Sequence, residues 1–185
     1  FYLRPRNFYY LCSLIKHIGI LKIERTFRQG KNMNGDPKLY AILEKLQINY
    51  QYIEHPPAPT IHIAKQYWEG HDAKHCKNLF FRNHKGDKHF IVILDCDRNM
   101  DIHAIEKQLH QGKLSFASEQ RLRTYLGLSP GSVTPFGLIN DTHKHVHLFI
   151  DENLRQAKKL SFHPCINTAS LLIDTTDFIK FLQYC

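Results

Sequence analysis

The 185-residue chain is 43% hydrophobic and 23% charged, with a formal net charge of +8. Those totals suit one soluble domain with a single core, and they exclude a disordered or fibrous chain. No long uncharged apolar run occurs, so no transmembrane helix and no membrane partner are expected. The basic excess is uneven: residues 1–32 carry seven Lys/Arg and one Glu, whereas residues 33–185 carry 18 basic and 16 acidic side chains. The five cysteines, Cys12, Cys76, Cys96, Cys165 and Cys185, form no CxxC pair and are odd in number. A reducing, cytoplasmic setting without a disulfide framework is the natural reading.

Residues 1–32 lack an initiator Met and the small-residue cleavage site of a secretory signal. They read as a non-native or disordered extension, ahead of a real extra helix or a targeting peptide. A single domain is expected over residues 33–185. Asp36 and Pro37 start a helix, with Leu39, Ile42, Leu43 and Leu46 on one face. Residues 49–54 alternate like a strand. His55-Pro-Pro-Ala-Pro-Thr60 is irregular, because proline lacks a donor, and Thr60 caps a short helix to about Trp68. Residues 77–96 form two strands around a Lys85-Gly86-Asp87 turn, the second continuously apolar and therefore central.

Asp101 caps a helix to about His110. Residues 115–118 are a short strand, and Ser118 caps a helix ending near Gly127. The stretch from Gly131 to Asp141 joins a Gly-x-x-x-Pro loop to an apolar segment, 136–140, read as a strand. Residues 145–151 form another strand and 152–158 a short helical stretch. Two more strands precede an amphipathic helix at the C-terminus. Several strands are hairpin-connected, which predicts a mixed, mostly antiparallel sheet with surrounding helices rather than a doubly wound parallel one.

Few residues announce chemistry. His143, His145 and His147 would share one strand face, but no acidic or cysteine partner stands at a ligand spacing, so the face reads as solvated and no metal is expected. Cys76 and Cys165 have His75 and His163 nearby, yet cysteines are usually small buried hydrophobes. No GxSxG elbow or phosphate-binding glycine loop occurs. Lys77, at the start of an apolar strand beside Asn78, can be a solvated charge or a site residue. His163, Asn167 and Thr168 form a polar cluster in one loop, where a rigid scaffold commonly presents binding groups. A glycine loop such as 131–135 lets backbone N–H groups approach a ligand.

Four stretches together resemble the YbaK/ProX family of trans-editing aminoacyl-tRNA deacylases: IEHPPAPT, KNLFFRNHKGDKHFIVIL, LSFASEQRLRTYLGLSPGSVTPFGLIND and LSFHPCINTASLLI. Within it they are most similar to the free-standing branch that removes alanine from tRNA(Pro). The likeness runs from about Asp36 to the C-terminus. It implies a compact α/β domain with a partly barrel-like sheet, with Lys77 as the key pocket lysine and Gly131-x-x-x-Pro135 as the substrate loop. It implies pocket positions for Asn78, Ser132, His163 and Asn167. It also implies a mischarged tRNA(Pro) as partner, prolyl-tRNA synthetase as a further one, and no cofactor. Residues 1–32 match nothing in the family, and a further short C-terminal strand would be expected after Cys185. Water would be the nucleophile, with no obvious general base. Two other readings stay open: a deacylase for another error such as Cys-tRNA(Pro), and a non-catalytic tRNA- or synthetase-associated module.

Overall fold

The computed structural model describes residues 2–3, 33–58, 66–67 and 70–185. Eight strands form one sheet: β1 (Tyr2–Leu3), β2 (Tyr50–Glu54), β3 (Lys74–Arg82), β4 (His89–Asp95), β5 (Ser115–Phe116), β6 (Val146–Ile150), β7 (Lys159–Phe162) and β8 (Ala169–Asp174). Their order is β1-β6-β4-β3-β7-β8-β2, with β5 beside β3. Only β3–β7 and β4–β6 are parallel; the other pairings are antiparallel. The sheet is therefore mixed and mostly antiparallel. It is not closed, and this corrects the partly barrel-like expectation: the order ends on β1 at one side and β2 at the other, and these two are not paired. The continuously apolar β4 is buried along its whole length.

Helix α1 (Pro37–Lys45) starts as its sequence dictates. Asp36 caps Lys38 N–H, Pro37 sits where its missing N–H costs nothing, and Leu39, Ile42 and Leu43 are buried. Asp101 and Ser118 likewise cap α2 (Ile102–Leu109) and α3 (Glu119–Leu126), and α4 (Thr175–Tyr184) ends the chain. The apolar stretch read as a strand is instead a 3-10 helix, Pro135–Asn140. Pro135 fixes φ at its first position, Thr134 caps Phe136 N–H, and Pro135, Phe136 and Ile139 are buried. A second 3-10 turn covers Glu152–Gln156. Among the described residues, no helix is long and apolar enough to cross a membrane.

Apolar clusters cover the sheet from two sides. The larger joins α1, α3, α4 and the first 3-10 helix to Phe80, Ile91, Ile93, Leu160, Phe162, Leu171 and Ile173. The smaller sets Ile105 and Leu109 of α2 against Phe81, Phe90, Val92, Leu94 and Phe149. Strand alternation thus divides β3 cleanly. Cys76 and Phe80 face the larger cluster, Leu79 and Phe81 the smaller. The helix expected at 60–68 falls outside the described residues apart from Gln66–Tyr67, which are helical. The extension expected at 1–32 also falls outside them, except that Tyr2–Leu3 pairs with the edge of β6.

Candidate active site

The candidate residues gather where the sheet forks. On the side of β3 away from β4, Lys74 and His75 pair with β7, while Phe81 and Arg82 pair with β5. Ala117 N–H extends the second arm by donating to Phe80 O at 2.9 Å. Between the arms, the loop running into Pro135 approaches β3. Asn78 Nδ2 donates to Val133 O at 3.1 Å, across 55 residues of sequence. Asn78 Oδ1 is buried and has no hydrogen-bond partner among the described residues. An orphaned buried acceptor in a native fold calls for an explanation, and a bound substrate is one.

Gly131 lies in this loop at φ +80°, a conformation that L side chains rarely adopt, and a Cβ there would stand 3.5 Å from Asn167 Nδ2. The structure therefore brings Gly131, Val133, Asn78 and Asn167 together. Ser132 is buried, with its N–H donated to Ser129 O, and Pro135 is buried as the first residue of the 3-10 helix.

Lys77 is the fourth residue of β3 rather than its first, because the strand already begins at Lys74. Alternation places it with Leu79 and Phe81, on the face opposite Asn78. Its ammonium donates to Arg98 O at 2.5 Å. Register shows what else shares that face: His75 pairs with Ser161, Ser161 with Leu172, and Ser170 with Ile53. Lys77 thus stands at a boundary, between the apolar half under α2 and a polar half on β7, β8 and the end of β2.

The polar half holds two linked histidines. His163 Nδ1 contacts Ala169 O at 2.9 Å. A carbonyl only accepts, so Nδ1 carries the proton and a neutral ring leaves Nε2 as an acceptor. Burial holds its pKa below the ordinary value, and the neighbouring His55 pushes the same way. His55 is buried with its ring 5.9 Å from that of His163. Its Nδ1 meets Pro56 O at 2.8 Å and its Nε2 meets Ser170 Oγ at 3.0 Å. Tyr67 also stacks on it, at 5.6 Å between ring centroids. His55 and Ser170 were not singled out in the sequence. The available signal was a histidine at a strand end directly before two prolines, a place where a rigid turn can hold a ring.

The other candidates resolve differently. The His143, His145 and His147 row does not share a solvated face. His143 is exposed in a turn, His145 Nε2 meets His89 Nδ1 at 2.8 Å, and His147 stacks on Phe90. Burial pushes the thiols of Cys76 and Cys165 upward, the latter to about 12, the reverse of what a nucleophile needs. Among the described residues, Asp95, Cys96 and Asp97 bring three potential ligand atoms within 4.8 Å of one another. Asp95 is already bound to Lys74 Nζ at 2.9 Å and to Asp97 N–H, so nothing further points to an ion.

Comparison with known proteins decides the family. The model of the aminoacyl-tRNA editing domain matches residues 55–181. The chain belongs to this family. It is 36% identical over 152 residues to the prolyl-tRNA editing protein ProX of Acetoanaerobium sticklandii, covering 82% of this chain and 93% of that protein. It is 29% identical over 145 residues to the prolyl-tRNA synthetase associated domain-containing protein 1 of Mus musculus, covering 76% and 85%. The solved structure of hypothetical protein APE2540 superposes with a TM-score of 0.63 at 17% identity, over 77% of this chain and 92% of that one. At that identity the likeness concerns the fold alone. The chain is thus a YbaK/ProX-type trans-editing hydrolase of the prolyl-tRNA system.

Proposed function

We propose that the editing domain hydrolyses Ala-tRNA(Pro), releasing alanine from a tRNA charged in error. The observation that carries this reading is the tie between Asn78 and Val133, which fastens the glycine loop to the strand that bears Lys77. The loop's backbone N–H groups bind the ester carbonyl and the oxyanion that develops on it. Gly131 serves because no side chain stands between its backbone and the substrate. Lys77, on the same strand, anchors a phosphate of the terminal nucleotide. Asn78 Oδ1 accepts from a substrate donor, and His163 Nε2 supplies a second acceptor in the polar half of the site. Water is the nucleophile, and a hydroxyl of the terminal ribose assists in activating it. Two relatives whose names refer to prolyl-tRNA support tRNA(Pro) as the partner, with prolyl-tRNA synthetase beside it.

The selectivity has a physical logic. Alanine is smaller than proline, so a synthetase pocket that fits proline rejects it weakly: one methylene is worth about 1–3 kcal/mol. A second pocket that admits alanine and sterically excludes proline solves the problem. The test is a panel of Ala-, Cys- and Pro-tRNA(Pro) at low enzyme concentration. Rapid release of alanine with proline left in place is expected. Preferential release of cysteine would change the substrate, and binding without release of any amino acid would leave a non-catalytic module.

A further inference from the structure

The second arm of the fork ends in a surface that the site above does not use. Phe116 is 64% exposed, one of two large hydrophobic residues so placed among the described residues. It lies opposite Phe81 in the β3–β5 pairing, and the two rings stack at 4.6 Å with 25° between planes. Phe81 is fully buried, so the exposed ring rests on a rigid support.

Around it the topology gathers cations. Arg82 pairs with Ser115, next to Phe116. The Asn83–Lys88 turn packs against the α2–β5 loop, since a Cβ on Gly112 would lie 3.7 Å from His84 Cβ. That contact brings the turn bearing Lys85 and Lys88 against the loop that continues into Lys113. Arg121 closes the turn by donating to Gly86 O at 2.7 Å. Five basic side chains thus gather at this end with two carboxylates: Asp87, occupied by Asn83 Nδ2 at 2.7 Å, and Glu106, which lies near Lys113 and accepts from Leu114 N–H at 2.7 Å. Glu119, at the start of α3, is paired with Arg123. The rest of residues 33–185 is close to charge balance, so the excess is local.

We propose that this end of the sheet is an RNA-binding surface, on which Phe116 stacks an unpaired base near the 3′ end of the tRNA while Arg82, Lys85, Lys88 and Lys113 contact its phosphates. The inference rests on the editing reading for its RNA partner. An exposed aromatic ring amid cations is the pairing that single-stranded nucleic acid requires, since every base has a face to stack and every link a phosphate. A protein partner with an acidic surface would use the charges but gives no reason for an exposed ring among them. The position also fits. Phe81 and Lys77 share a face of β3 four residues apart, about 13 Å at roughly 3.3 Å per residue. The 3′ strand runs from Phe116 toward Lys77 on the face of β3 that these two residues share with Phe81, past the loop that Asn78 ties to the strand edge.

The experiment measures binding of uncharged tRNA(Pro) across a salt series, alongside deacylation of Ala-tRNA(Pro). Phe116→Ala is expected to raise Kd about tenfold, and Phe116→Tyr to keep wild-type affinity. Lys85→Ala with Lys88→Ala should reduce the slope of log K against log salt by about two. In deacylation, KM should rise with kcat unchanged. Wild-type Kd and slope in these variants would overturn the surface, as would weakening by the lysine pair with Phe116→Ala neutral, which is charge attraction without stacking. If the wild-type protein releases no amino acid from any charged tRNA, the editing reading falls. The uncharged-tRNA measurements still decide the surface.

Discussion

Asn78 Nδ2 and Val133 O lie 3.1 Å apart, and this one bond closes the gap between the two arms of the sheet. The gap exists because β3 pairs with β7 at its first residues and with β5 at its last, leaving the middle of one edge to a loop. Asn78→Ala removes the tie and leaves the Val133 carbonyl without it. A hydrogen bond of this kind contributes about 1 kcal/mol net, so the fold should survive with Tm lowered by a few degrees. Deacylation should fall much further, because a loosened loop misplaces the oxyanion donors. Comparing single-turnover rate with thermal melting checks this. A rate loss no larger than the stability change would mean that the bond is merely structural.

Lys77→Ala should reduce single-turnover deacylation of Ala-tRNA(Pro) by about 100- to 1000-fold, the usual cost of losing one electrostatic contact in an active site. The residue stands inside β3, but its ammonium is bound to a loop carbonyl, Arg98 O, rather than to a buried carboxylate. Its loss should therefore change circular dichroism little. A folded variant with near wild-type rate would remove Lys77 from the mechanism.

Local signals in the sequence carried most of the elements. Asp36, Asp101 and Ser118 each cap the helix they announce, because capping is decided within four residues. Two local readings failed. The run after Pro135 was apolar enough for a strand, but proline at the first position and a capping threonine favour a tight helix. The start of β3 was missed because Lys74, His75 and Cys76 show no apolar alternation; long-range pairing with β7 and β4 makes them strand. The fork and the open sheet rest on pairings far apart in the chain. No local pattern encodes those. The pocket residues came from family likeness, and His55 with Ser170 needed the β2–β8 register to be seen.

Gly131→Val tests the loop in another way. A Cβ at this position meets only Asn167 Nδ2, at an ordinary 3.5 Å, so crowding is not the difficulty. The φ of +80° is, because a β-branched residue there is strained by roughly 1–3 kcal/mol. The loop should relax away from the geometry that presents its N–H groups. Loss of deacylation by about 100-fold or more is expected, with binding of uncharged tRNA nearly intact. Equal loss of both would point to collapse of the domain instead.

The last prediction concerns acid. His89 is fully buried between Tyr125, at 4.3 Å between ring centroids, and Phe80, at 5.6 Å. Its Nε2 meets Arg121 Nη1 at 2.8 Å, and its Nδ1 meets His145 Nε2 at 2.8 Å. Arginine can only donate, so Nε2 must accept and the single ring proton must sit on Nδ1, directed at His145. A second proton would face the guanidinium with no acceptor. Burial, then His145 and Arg121, hold the pKa down at about 4, against 6.5 for an ordinary histidine. A lowered histidine pKa means that the unfolded chain binds the proton more readily, so stability rises with pH. The contribution is complete above pH 6.5 and is lost as pH falls toward 4. Thermal melting between pH 7.5 and 4.5 should show a decline of at least about 2–4 °C attributable to this group, roughly 1 kcal/mol for a chain of this size. In His89→Gln the neutral side chain keeps an acceptor and a donor but cannot take the proton. That variant should start less stable and show a flatter pH dependence. An unchanged slope in His89→Gln would assign the acid sensitivity elsewhere, with His75, also held down at about 4 by burial, the first group to replace.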